Sequence, residues 1–288
     1  MTPRQADSRE RFQWFARTGA FILCAAACLA PAGSAQNTQQ VSPVANPATP
    51  APADTKGSPA SKGSPAIVIG FLGGYVPANS PIRSEVKMAE RLRASYPDTV
   101  HVKTFANRKL NSAYQEILEL LAGAPTATVS PEEKQRARII IYGHSWGGTA
   151  AVALARKLQK DGIPVLLTVQ VDSVEHLHVD DSVIPANVAK AANFYQRGGM
   201  LHGREKITAA DPARTQILGN YLYDYAKNPV ECHGYPFWDR WFSKTHMEIE
   251  CDPKVWNEVE SLIRRELPPA AAPRQSTNLE KGQIPQPQ

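Results

Sequence analysis

Ile139-Ile140-Ile141-Tyr142-Gly143-His144-Ser145-Trp146-Gly147-Gly148, followed by Thr149-Ala150-Ala151-Val152-Ala153-Leu154-Ala155, is the stretch that decides the fold. The first four residues are apolar and mostly β-branched, as in a strand buried on both faces. The last eight are small or apolar and read as a helix packed close to a sheet. Between them lies G-x-S-x-G. A chain turning that sharply from strand to helix has no room for side chains two residues before and two residues after the serine, hence Gly143 and Gly147. Such a turn lifts the hydroxyl above the strand ends and aims the helix N-terminus at it. The bare motif is common. The matched strand and helix separate it from an ordinary glycine-rich turn.

The same alternation runs outward in both directions. Ala66–Leu72 predicts a first buried strand, and Ser80-Pro81 predicts an N-cap with proline at the first helical position. Val86, Ala89 and Leu92 continue that helix. Residues 99–105 predict a second strand, and residues 111–121 a helix stopped by Gly123. Residues 138–142 and 148–159 are the strand and helix of the turn itself, and residues 164–171 a fourth strand. Residues 191–196 and 215–219 carry fainter strand signals. Asp252-Pro253 caps a last helix with Trp256, Val259, Leu262 and Ile263 on one face. This pattern predicts a mostly parallel sheet flanked by helices.

The flanks differ in composition. The chain has 288 residues, 42% hydrophobic and 20% charged, with a formal charge of +5. Eleven of its 24 prolines fall in 36–65 and 268–288, which contain no aromatic residue. Such segments bury too little surface to offset the entropy of ordering, so they read as a disordered tether and a disordered tail. Residues 1–35 read as a signal peptide. Arg4, Arg9, Arg11 and Arg17 precede an apolar run from Gly19 to Ala30, and Gly33-Ser34-Ala35 offers a cleavage site. The run is shorter than the ~20 residues of a bilayer span. An uncleaved anchor and a lipoprotein modified at Cys28 are the alternatives. The expectation is an exported domain over 66–267, periplasmic or extracellular. Its basic residues are scattered, which argues against a nucleic-acid partner. Nothing in the sequence sets the oligomeric state.

Cys232 and Cys251 are the cysteines outside the signal, and an oxidising compartment predicts a disulfide between them. Two buried thiols are the alternative. Cys232-His233 with His246 and Cys251 lacks zinc-type spacing, so no metal and no cofactor are expected.

A serine hydroxyl becomes a nucleophile only with a base in reach and a carboxylate to orient that base. Of the seven histidines, His101 lies in a strand pattern. His144 lies inside the turn and is read as pointing away from the serine. His176 and His178 follow the fourth strand too soon, and His202 and His233 lack context. His246, read as a loop residue just before the last helix, is the candidate base. Asp172, at the end of the fourth strand, is the first candidate acid. Asp211 is the second, read as following the next strand, and the third is the pair Asp180 and Asp181, read as a solvated loop pair. Candidate oxyanion donors are the N–H of Trp146 and that of Phe71 or Leu72, in the loop Gly70-Phe71-Leu72-Gly73-Gly74. Tyr235-Pro236-Phe237-Trp238 and Trp241-Phe242 read equally as cleft lining or as core.

Together GHSWGG, GFLGG, Asp172 and His246 resemble the α/β-hydrolase superfamily, closest to its lipase, esterase and thioesterase branches, over residues 66–266. Residues 185–196 and the run from His246 to Trp256 also resemble bacterial exported hydrolases of unassigned substrate. The resemblance implies a compact α/β-hydrolase fold of about six strands. Two leading strands common in that superfamily are missing, and no insertion is long enough for a large cap. It implies a serine hydrolase cleaving carboxylic esters, lipid esters among them, through an acyl-enzyme. An amidase or thioesterase shares the same triad. A non-catalytic binding module of the cell envelope is the reading of a different class.

Overall fold

The computed structural model describes residues 66–125, 127–176, 178–235 and 243–269. The expected signal, the tether, nearly all of the tail and most of the aromatic stretch after Tyr235 lie outside these residues. The strands are β1 (Ala66–Leu72), β2 (Val100–Ala106), β3 (Ile139–His144), β4 (Val165–Val171), β5 (Val183–Ile184), β6 (Val188–Gln196), β7 (Thr208–Ala209) and β8 (Gln216–Tyr223). The helices are α1 (Ser84–Ser95), α2 (Leu110–Ala122), α3 (Pro131–Gln135), α4 (Trp146–Lys160), α5 (Lys244–Cys251) and α6 (Pro253–Glu266).

Six strands form one sheet in the order β2-β1-β3-β4-β6-β8, and every pairing is parallel. The apolar runs of β1 and β3 are buried along their whole length because helices cover both faces. Alternate residues feed two cores. Ile67, Ile69 and Phe71 join the side chains of α2 and α4 on one face. Val68, Ile140 and Tyr142 join those of α1 and α6 on the other, around Met88, Leu92 and Trp256. Tyr142 reaches through this second core to donate to the Glu85 carbonyl at 2.9 Å.

The sequence expectations hold with shifts at the ends. Gly123 stops α2 in the left-handed conformation at φ 70°, and Asp252 caps α6 by accepting from the Lys254 N–H. The faint signals near 191 and 215 are complete strands, β6 and β8. One expected start is wrong. Pro81 does not open α1, which begins at Ser84 after Arg83. The Arg83 N–H bonds back to the Ser80 carbonyl at 3.2 Å, so Ser80-Pro81 belongs to a turn ahead of the helix. β5 and β7 pair in a separate two-stranded ribbon that the sequence did not announce. No large cap interrupts the path from β4 to β6. No described helix is long and apolar enough to cross a membrane.

Candidate active site

All six strands of the main sheet run the same way, so the loops that follow them meet along one edge. Ser145 stands there between β3 and α4 with φ 56° and ψ −127°. That left-handed region is costly for a residue with a Cβ and is characteristic of strained functional turns. The glycines show why the sequence allows it. A Cβ on Gly143 would lie 2.3 Å from the Gly147 carbonyl oxygen, and one on Gly147 would lie 2.2 Å from the Phe71 carbonyl oxygen. Both contacts are with backbone that cannot yield. This is a compact α/β fold, a six-stranded parallel sheet flanked by helices, with the strained serine turn at the edge where its strands end.

Asp172, one residue past β4, is also at positive φ, 43°. It is fully buried, and four donors converge on it. One carboxylate oxygen accepts from the Gly203 N–H at 2.8 Å and the Gln196 N–H at 3.4 Å. The other accepts from the Gln196 side-chain amide at 2.8 Å and lies 2.6 Å from Nδ1 of His246. The charge of a carboxylate is what repays this much donor traffic in a dry site.

His246 is not on a loop, as the sequence suggested. It lies in the first turn of α5, an eight-residue helix, and is buried. Thr245 beside it donates to the Gly198 carbonyl, and Cys251 at the helix end is bonded to Cys232. The disulfide expectation is therefore met, and neither sulfur is a free zinc ligand.

Asp211 lies in the turn that leads into β8, accepting the Ala213 N–H at 3.0 Å. It follows β6 and β7 in the chain but sits just ahead of β8, which puts it at the opposite edge of the parallel sheet from Asp172. Asp180 and Asp181 are not a solvated pair. Asp180 is exposed and bonds Ser182 locally. Asp181 is fully buried, accepting from Ser173, from Thr149 at 3.1 Å and from Arg204 at 2.9 Å. It ties the loop after β4 to α4.

The oxyanion candidates sit around the turn. Phe71 and Leu72 end β1, both fully buried. A Cβ on Gly73 would come within 2.8 Å of the Ser145 Cβ, so the loop after β1 packs directly on the serine. Trp146 begins α4, where backbone N–H groups have no intrahelical partner. Its indole stacks on His176 with ring centres 4.3 Å apart and meets Tyr75 edge-on at 5.4 Å. Tyr75 is 80% exposed, so this aromatic row runs from the serine toward solvent. Sequence reasoning passed over His176 because stacking across loops leaves no local signature.

His144 meets the candidate base. Its ring packs on His246, with centres 4.6 Å apart and planes at 32°. Burial, and then electrostatic repulsion from His246, hold its imidazole well below the usual titration range. Thus a residue adjoining Ser145 in the chain touches His246 in space.

No protein-family model matches the chain, and no curated protein does. Solved structures do. A cutinase-like protein from Cryptococcus sp. is 11% identical at a TM-score of 0.39, over 72% of this chain and 97% of that one. An esterase from Pseudomonas putida is 12% identical at 0.35, over 72% and 74%. The RedJ thioesterase of Streptomyces coelicolor is 11% identical at 0.33, over 64% and 91%. Likeness this remote assigns no residue and no substrate, and the reading of the site rests on its own geometry.

Proposed function

We propose that the protein is an exported serine hydrolase that cleaves carboxylic esters, with Ser145 as nucleophile, His246 as general base and Asp172 as the orienting acid. The observation that carries this reading is the buried pair of His246 Nδ1 and Asp172 at 2.6 Å, together with a serine held in a strained strand-to-helix turn. With Nδ1–H committed to the carboxylate, the other ring nitrogen is left as the acceptor. It takes the Ser145 proton as Oγ attacks the ester carbonyl. The carbonyl oxygen becomes an oxyanion, stabilised by the Trp146 N–H and a donor from the loop after β1, where Phe71 and Leu72 are the candidates. The intermediate collapses, His246 passes the proton to the departing alkoxide, and the acyl group remains on Ser145. Water, deprotonated by the same histidine, then releases the acid. None of these steps calls for a cofactor.

The row of Trp146, His176 and Tyr75 supports an apolar acyl group at the mouth, since flat rings offer contact area without losing many rotamers. Export is supported by the disulfide, which persists in oxidising compartments, and by the basic and apolar pattern of residues 1–35.

A fluorophosphonate probe tests the assignment. Purified protein should be labelled at Ser145 and nowhere else, and labelled protein should lose turnover of p-nitrophenyl esters. Folded protein that takes no label would overturn the reading. An ester series of increasing chain length would then place the acyl preference.

A further inference from the structure

Behind the His144–His246 stack lies a cluster of buried charge that the proposed chemistry does not use. Glu250 follows His246 by one helical turn on α5, and Glu85 lies in the first turn of α1. Both are buried, at 0% and 1% exposure. Both oxygens of Glu85 and Oε2 of Glu250 are buried with no hydrogen-bond donor on them. Glu250 also accepts the Ser84 N–H at 3.1 Å and lies 3.8 Å from the Arg83 guanidinium. Nδ1 of His144 is 3.9 Å from Glu85. The hydroxyl of Tyr235, donated to the Ile82 carbonyl, and that of Tyr142, donated to the Glu85 carbonyl, close the remaining sides.

The charges of this cluster do not balance if both acids are ionised. Arg83 offers one positive charge, His144 is held neutral, and the two tyrosines remain protonated. Two buried acids this close, the Ser84 N–H next to Glu85 already bonding Glu250, cannot both keep a negative charge out of water. A single proton between them resolves this, because it turns a repulsion into an O–H donor facing a carboxylate, one of the stronger hydrogen bonds.

We propose that Glu85 and Glu250 share one proton, and that the resulting clasp between α1 and α5 positions His246 by pressing its ring onto His144. The inference rests on the assignment of His246 as base, and it makes Glu85 a positioning residue. The direction of titration agrees with it. Burial, and then the charge of Glu250, raise Glu85 well above the usual carboxylate range. Burial raises Glu250 too, against the pull of Arg83. An acid raised on folding adds stability that is complete below its unfolded titration range and is lost as the pH climbs through the raised value. The clasp is therefore closed in acid and opens in base, and opening it frees the helix that carries His246.

Glu85→Gln separates a shared proton from mere packing. Its amide donates to Glu250 without titrating. The unfolding midpoint, which needs no activity, should fall in the wild type by several degrees between about pH 5 and about pH 9. In Glu85→Gln it should stay level. The rate of fluorophosphonate labelling should show an alkaline decline in the wild type that moves up by about one pH unit or more in Glu85→Gln. Glu85→Ala, which leaves Glu250 without its donor, should label at least roughly tenfold more slowly at every pH. A midpoint that falls with pH in the wild type and stays level in the isosteric Glu85→Gln is an outcome that packing alone does not give. Midpoints and labelling rates of Glu85→Gln that follow the wild-type curves would overturn the clasp while leaving Ser145 as nucleophile. A wild type with the expected midpoints but no labelling would overturn the catalytic reading, and with it any role for the clasp in placing a base.

Discussion

Ser145 and His246 reach the same edge of the sheet by opposite means. The serine is placed by its chain neighbours. β3 on one side, α4 on the other and two glycines between them leave the turn one conformation. The histidine is placed by partners far away in sequence. Asp172 orients its ring at a separation of 74 residues, Gly198 accepts from Thr245, Cys232 holds the end of α5 and Glu85 meets Glu250. An eight-residue helix is too short to be stable alone, so the geometry of the base is only as good as those remote contacts. A nucleophile built locally and a base built at long range should fail in different ways.

The largest effect should come from the local half. Ser145→Ala should lower kcat/KM by roughly 10⁵–10⁶-fold and move the melting temperature by less than about a degree, because the turn does not depend on the hydroxyl. Retained turnover would show that another serine carries the chemistry.

Next is the orienting acid. Asp172→Asn should cost roughly 10³–10⁴-fold in kcat. An amide has one acceptor oxygen where the carboxylate has two, so its NH₂ would face a donor whichever way it turned. Asp211→Asn, at the far edge of the sheet, should cost less than about twofold. Equal losses in the two variants would remove the long-range half of the comparison.

The smallest effect on rate, and the clearest on stability, should come from the disulfide. Cys232→Ser should lower stability by about 3 kcal/mol, read as a denaturant midpoint. Turnover should survive at low temperature and fall on warming, well before the cores melt, as α5 loosens. A coincident loss of turnover and of global structure would show that α5 belongs to the main cooperative unit.

The same contrast explains what was legible in the sequence. β1, β3, β4, the elbow and α6 are written in runs of adjacent residues, where periodicity, glycine and capping chemistry act over a few positions. Asp172 was legible because it ends a strand. His246 was legible by chain order, yet its helix was not, since Ser243 at its N-cap makes no side-chain capping bond and Lys244–Cys251 owes its form to partners. The contact of His144 with His246 was not legible, because a position within the strand-to-helix turn fixes where its backbone goes but not what its ring will meet. Asp181 looked solvated because two adjacent acids usually are. Ser173, Thr149 and Arg204, which bury it, come together only in the folded chain. Glu85 and Glu250 are separated by 165 positions, and no local pattern marks an acid that will be buried against another acid.

The crowded glycines bear on how this gene tolerates change. A Cβ on Gly203 would fall 2.1 Å from the backbone of Asp172, as tight a fit as those at Gly143 and Gly147. In a saturation-mutagenesis scan scored by activity, these positions would look as intolerant as Ser145, although none of them supplies a side chain to chemistry. Scored by soluble yield, the two sets would part, with the serine variants accumulating normally and the glycine variants lost. A tolerance map built on activity alone would therefore draw a site several residues too large, and the excess would be scaffold.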